Sequence, residues 1–184
     1  MLVSKTKSCL SLETDKSEFS LNFFKLLMNS EIQRRGIKGP ELIERYPSLV
    51  NRRPEKLPGI EELEGLVKDC AVVISDDLCH HGIAYGVPEN LAIEIGDTAY
   101  NFAKTAIDTG FQYLKKGDYA RYYDHWMHPE AIGDPTDCAI VQRFLLGNAT
   151  YNVLDLKIVD VSRLFEANPT PSWVAAALVE ITRA

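Results

Sequence analysis

Apolar residues recur at every third or fourth position along most of this 184-residue chain. That spacing lines one face of an α-helix and does not suit a half-buried strand. From Ser17 to Arg35, the residues Phe19, Leu21, Phe23, Phe24, Leu26, Leu27 and Ile32 follow it, and Gly36 stands after the basic pair Arg34 and Arg35 as a stop. Pro40 opens a short helix through Arg45, and NRRPEKLPG reads as a loop. The strongest run is Ile60, Leu63, Leu66, Val67, Cys70, Val73, Ile74 and Leu78, which predicts a helix of about five turns up to Gly82.

Pro88 suits the first turn of a second long helix whose stripe is Leu91, Ile95, Ala99, Phe102, Ala103, Ala106 and Leu114, ending at Gly117. Its alanines allow a neighbour to approach closely. Asp118 caps a short aromatic helix from Tyr119 to Met127, and Thr136 or Asp137 caps the next. From Cys138 to Ala167 the pattern stays mostly helical, with a break at Gly147 and Asn148, and Pro171 starts a last helix bearing Trp173, Val174, Ala177, Leu178 and Ile181. The β-branched stretches AVVIS, YNVLDLKIVDV and WVAAALVEIT are the competing signal for strands. Period-two alternation is sparse and NG or DG hairpin turns are missing, so the expectation is an all-α domain of seven to eight helices over residues 18–184, with residues 1–17 a flexible arm.

With 46% hydrophobic and 25% charged residues, the chain can bury a core. No window reaches the roughly 18 apolar residues of a membrane span, and the N-terminus lacks the apolar stretch of a signal peptide, so no membrane is expected as a partner. A net charge of −6 argues against nucleic acid, which needs a basic face. Cys9, Cys70, Cys79 and Cys138 are scattered without CxxC spacing, as suits apolar fillers in a cytoplasmic protein.

All four histidines fall in two clusters beside acids. One is Asp76, Asp77, Cys79, His80 and His81; the other is Asp124, His125, His128 and Glu130. In a helix, His125 and His128 share one side and can present two imidazoles to a transition metal ion, with Asp124 as ligand or orienting group. His80, His81 and Asp76 are the corresponding candidates in the first cluster. The plainer alternative for each cluster is a polar helix end, where the helix dipole favours histidine. DDLCHH begins like the magnesium-diphosphate motif DDxxD but lacks its third acid. HExxH, the Walker loop, GxSxG and GxGxxG are all absent from the sequence.

A histidine in an aromatic setting is also suited to a tetrapyrrole. His125 sits among Tyr122, Tyr123, Trp126 and Met127, and Arg121 or Arg143 could pair with a propionate. Residues 145–181, with Gly147-Asn148, Ile158-Val159, Val161, Leu164, Phe165, Thr170-Pro171 and Val174, resemble the closing region of phycobiliproteins. ELIERYPSLV is similar to a segment that precedes the chromophore helix in that family. The resemblance implies a globin-like or phycobiliprotein-like bundle with a tetrapyrrole pocket. No thiol stands near Pro129, where the family's bilin-bearing cysteine would fall, so the cofactor, haem or bilin, would be held non-covalently.

Three functions follow as expectations. The first is a globin-like protein with His125 as axial ligand, His128 as a lesser one, and Tyr122, Trp126, Arg121 and Arg143 around the cofactor. The second is a metal-dependent helical enzyme in which His125, His128, His80, His81, Asp76 and Asp124 converge on one ion. The third is a non-enzymatic interaction module that self-associates as a homodimer through its WVAAALVEI face.

Overall fold

A computed structural model describes residues 2–3, 19–45, 47, 52–76, 78–127 and 137–183. The chain forms two compact units, Met1–Ser75 and Asp76–Ala184.

In the first unit, β1 (Leu2–Val3) pairs in parallel with β2 (Ile43–Glu44), and α1 (Phe19–Arg35) and α2 (Ile60–Leu66) supply the helices. α1 follows the expected bounds. Its Leu21 is buried, whereas Phe23, Leu26 and Leu27 are more than half exposed on the opposite side. Lys25 pairs with Glu44 at 2.7 Å beside a shallow surface dimple that Leu21 and Leu42 also line. Residues 40–45, expected as a helix, are non-helical and contain β2. The expected five-turn helix from Ile60 is also shorter, because regular helix stops at Leu66. Apart from Leu2 and Val3, the N-terminal arm lies outside the described residues.

The second unit combines α3 (Asp97–Lys115), α4 (Tyr119–Trp126) and α5 (Asp137–Leu146) with a sheet of β3 (His80–Gly82), β4 (Ala149–Asp160) and β5 (Ser172–Arg183). The sheet is antiparallel, in the order β3-β5-β4. The expected all-α bundle, globin-like or phycobiliprotein-like with seven to eight helices, is therefore incorrect: among the described residues five α-helices accompany a three-stranded antiparallel sheet. The helices expected after Gly147-Asn148 and from Pro171 are instead strands β4 and β5. Their β-branched residues settle on a pleated, half-buried surface where χ1 restriction costs nothing extra.

β4 and β5 pair from Ala149↔Arg183 to Asp160↔Trp173, with one irregularity between Val153 and Asp155 that leaves Leu154 as the extra residue of a bulge. One face of the hairpin carries Tyr151, Leu156, Trp173, Ala175 and Val179 and meets the helices. Phe111 of α3 stacks on Tyr151 with ring centroids 4.8 Å apart, and Phe102 of α3 meets Trp173 edge-on at 6.2 Å.

α3 is the spine of this unit. Ala99, Ala103 and Ala106 are buried on it with Ile107, Phe111 and Leu114. At Gly110 the Trp126 indole of α4 comes so close that a Cβ would lie 2.7 Å from its Cζ2. Asp118 caps α4 as expected, its Oδ1 accepting from the Arg121 amide at 3.2 Å. No described helix is long and apolar enough to cross a membrane.

Candidate functional site

The sequence singles out two histidine clusters, and the structure gives them different surroundings. His80 and His81 are neighbours on β3, so their side chains leave opposite faces of the sheet. His80 is half-buried and stacks on Tyr85 at 4.2 Å. His81 is buried between Trp173, stacked at 5.1 Å, and Phe102, also at 5.1 Å. Two rings on opposite faces cannot share one ion. Asp76, half-buried, lies at the start of this unit.

His81 has a defined role. Its Nε2 accepts the Ile93 amide at 3.1 Å, and the carbonyl of the same Ile93 accepts Trp173 Nε1–H at 2.9 Å. Both polar groups of one loop residue are thus held by two stacked rings. An Nε2 that accepts is unprotonated, so the neutral ring carries its proton on Nδ1, which is buried and has no hydrogen-bond partner among the described residues. Burial pushes the His81 pKa below the usual histidine value, and the Leu91 backbone works more weakly the other way.

This depression fixes the sign of a pH effect. With the folded-state pKa below the unfolded value of about 6.5, the unfolded chain binds the proton more readily. Stability is then complete above pH 6.5 and declines as pH falls through 6.5 towards the folded-state value. Urea midpoints of the protein should hold constant from neutral to mildly alkaline pH and fall on acidification. In His81→Gln, which keeps an acceptor for Ile93 but does not titrate, the fall should be smaller. Parallel pH profiles for the two proteins would assign the effect to other groups.

The second cluster lies along the same helix. His125 is half-buried on α4, and its Nε2–H donates to the Ala106 carbonyl of α3 at 2.8 Å. Its ring meets Trp126 at 4.7 Å and Tyr113 at 5.9 Å, both edge-on. To ligate iron or another metal through Nε2, His125 must release Ala106; the other route is Nδ1. Tyr122 and Trp126 are fully buried, and they meet edge-on at 6.1 Å. Arg121 is exposed beside Asp118 at 3.5 Å, and Asp124 is exposed. His128 and Glu130 lie outside the described residues. The two clusters reach α3 one turn apart, His81 at Phe102 and His125 at Ala106. Among the described residues no three His, Cys, Asp or Glu side chains come together as metal ligands would.

Arg143, considered from sequence as a propionate partner, is buried on α5 and spends its donors on backbone. Nε donates to Leu114 O at 2.7 Å, Nη2 to Lys115 O at 3.0 Å, and Nη1 to Gly147 O. The guanidinium thus neutralises the carbonyl end of α3. Burial pushes the nearby Tyr151 phenol up to about 12, with Arg143 pulling more weakly downward.

Residues that sequence reasoning misses are Ile93, whose backbone joins the two rings, and Trp173, which periodicity places on a helix face. The run WVAAALVEIT carried the signal for the second, through its β-branched content. Compared with protein-family models, with curated proteins and with solved structures, the chain matches none.

Proposed function

We propose that this chain is a non-enzymatic interaction module of the cytoplasm that self-associates through the open edge of its sheet. The observation that carries this reading is β4. It pairs with β5 along its length, and among the described residues no strand lies on its other side. An edge strand presents a row of backbone donors and acceptors that a further strand can satisfy.

Side chains along this edge suit contact as well. Leu154 is 55% exposed and Val159 43%. In contrast, His81, His125 and Arg143 spend polar groups on backbone partners that hold elements together. Segment 173–181, expected to dimerise as a helix face, is instead the middle strand of the sheet. The thiols of Cys70 and Cys79 suit a reducing compartment, and burial pushes Cys79 up to about 12, where it stays a thiol.

Sedimentation velocity from about 1 µM to about 1 mM brackets weak association of this kind. The expected result is a reversible rise of the mean mass from 20.7 kDa towards twice that value. A constant monomer mass over the whole range would remove the reading.

A further inference from the structure

We propose that two copies join β4 to β4, antiparallel, about a twofold axis through Leu156, with Asp155 of each copy opposite Lys157 of the other. This rests on the self-association reading and specifies its register. The choice of β4 and of Leu156 comes from faces and charges.

Opposite residues in an antiparallel pair lie on the same face, so a twofold pairing must be centred on a residue, which then faces its own copy. Past the bulge, Asp155, Lys157 and Val159 share the outer face, while Leu156 and Ile158 face the helices. Centring on Asp155 or on Lys157 sets like charges against each other. Centring on Ile158 leaves both charges without an opposite. Only the register centred on Leu156 places two carboxylate–ammonium pairs across the axis.

The groups are in place for it. Asp155 Oδ2 and Lys157 Nζ already lie 3.3 Å apart on the strand, both more than half exposed. Joining two copies would turn two isolated ion pairs into a ring of four alternating charges. Leu156 is buried under the helices, so its own core is undisturbed.

Length is limited at both ends. The bulge at Leu154 interrupts the ladder on one side of Leu156, and the twofold axis repeats that interruption on the other side, where Ile158 would meet Leu154 of the other copy. Pairing is therefore confined to Asp155–Lys157, a short ladder that predicts a weak and reversible dimer.

The second open edge, that of β5 beyond its pairing with β3, lacks a matching register. Its charged residues Glu180 and Arg183 sit on opposite faces, and the Arg183 guanidinium is bonded to the Leu145 and Leu146 carbonyls. A self-pairing there cannot set one against the other.

The test is a charge-exchange cycle at exposed positions, followed by sedimentation equilibrium, with circular dichroism to confirm that each variant is folded. Asp155→Lys and Lys157→Asp should each weaken the homodimer about tenfold, because each turns two attractions into repulsions. The double variant should return to within about threefold of the parent. A mixture of the two single variants should form a heterodimer more tightly than either forms a homodimer.

Bulk charge cannot mimic this result. The chain carries a net −6, so Asp155→Lys lowers overall repulsion and would by itself strengthen association. A dimer that neither single variant weakens overturns the register but leaves self-association standing, with Phe23, Leu26 and Leu27 of α1 as the next surface to vary. A parent chain that stays monomeric overturns both.

Discussion

Replacing Gly82 by alanine is expected to detach β3 from β5 and to cost about 4 kcal/mol or more, against effects of about 1 kcal/mol for an ordinary substitution. Gly82 has φ 115° and ψ −173°, a region that is nearly closed to any residue with a side chain. The space is closed as well. A Cβ there would lie 2.1 Å from Pro171 O and 2.6 Å from Ser172 Cα, both backbone atoms of the pairing segment. Backbone cannot rotate away as a side-chain tip can, so strand and partner must separate.

The consequence reaches beyond one turn. β3 carries His81, and the carbonyl of Gly82 accepts the Val87 amide at 3.2 Å while Ile83 donates to Pro171 O at 3.0 Å. Urea unfolding should show either a much lower midpoint or loss of the cooperative transition. Gly65, in α2, is the control, because nothing lies within 4 Å of a Cβ built there. Gly65→Ala should be neutral or stabilising by up to about 1 kcal/mol. Equal effects at the two glycines would contradict the steric account.

How far the sequence foretells this fold depends on what each segment's periodicity reports. α1, α3 and α4 are amphipathic or capped within their own span, so Arg35-Gly36, the alanine stripe and Asp118 mark them locally. β4 misleads for a physical reason. Its bulge at Leu154 moves the inward set from Tyr151 and Val153 to Leu156 and Ile158. The step from Val153 to Leu156 is three residues, which reads as one turn of helix. β5 hides its alternation differently, with alanines inward and outward and Leu178 on the exposed face. No two-residue turn announces the hairpin either, since residues 161–171 connect the strands through a 3₁₀ turn at Ser162–Leu164.

The site divides along the same line. Clustering drew attention to His81 and His125, and both lie against α3 with ordered partners. What those partners are depends on distant backbone: Ile93 for one ring and Ala106 for the other. Residue type cannot reveal a bond to a carbonyl or an amide, so a histidine that holds a loop reads the same as one that awaits a ligand. Arg143 shows this again, since its three acceptors are all main-chain oxygens at helix ends.

Trp173 is where these threads meet, and its removal should be the other large effect. The side chain is fully buried, stacked on His81 and set edge-on to Phe102. Trp173→Ala leaves a cavity under β3 and should cost about 3–5 kcal/mol. That is a large part of the roughly 5–15 kcal/mol typical of a folded domain. Trp173→Phe separates the two contributions. It retains most of the ring contacts but removes the Nε1–H that satisfies the Ile93 carbonyl, a loss of about 1 kcal/mol for a part-buried group. The Ile93 amide supplies an independent reading, because it is bonded to His81 Nε2 on the other side of the same residue. In Trp173→Phe its hydrogen exchange should quicken while amides in the middle of α3 remain protected, since the loop is released without global unfolding. If the Phe variant instead matches the parent in both stability and Ile93 exchange, the indole contributes only volume, and His81 alone holds the loop.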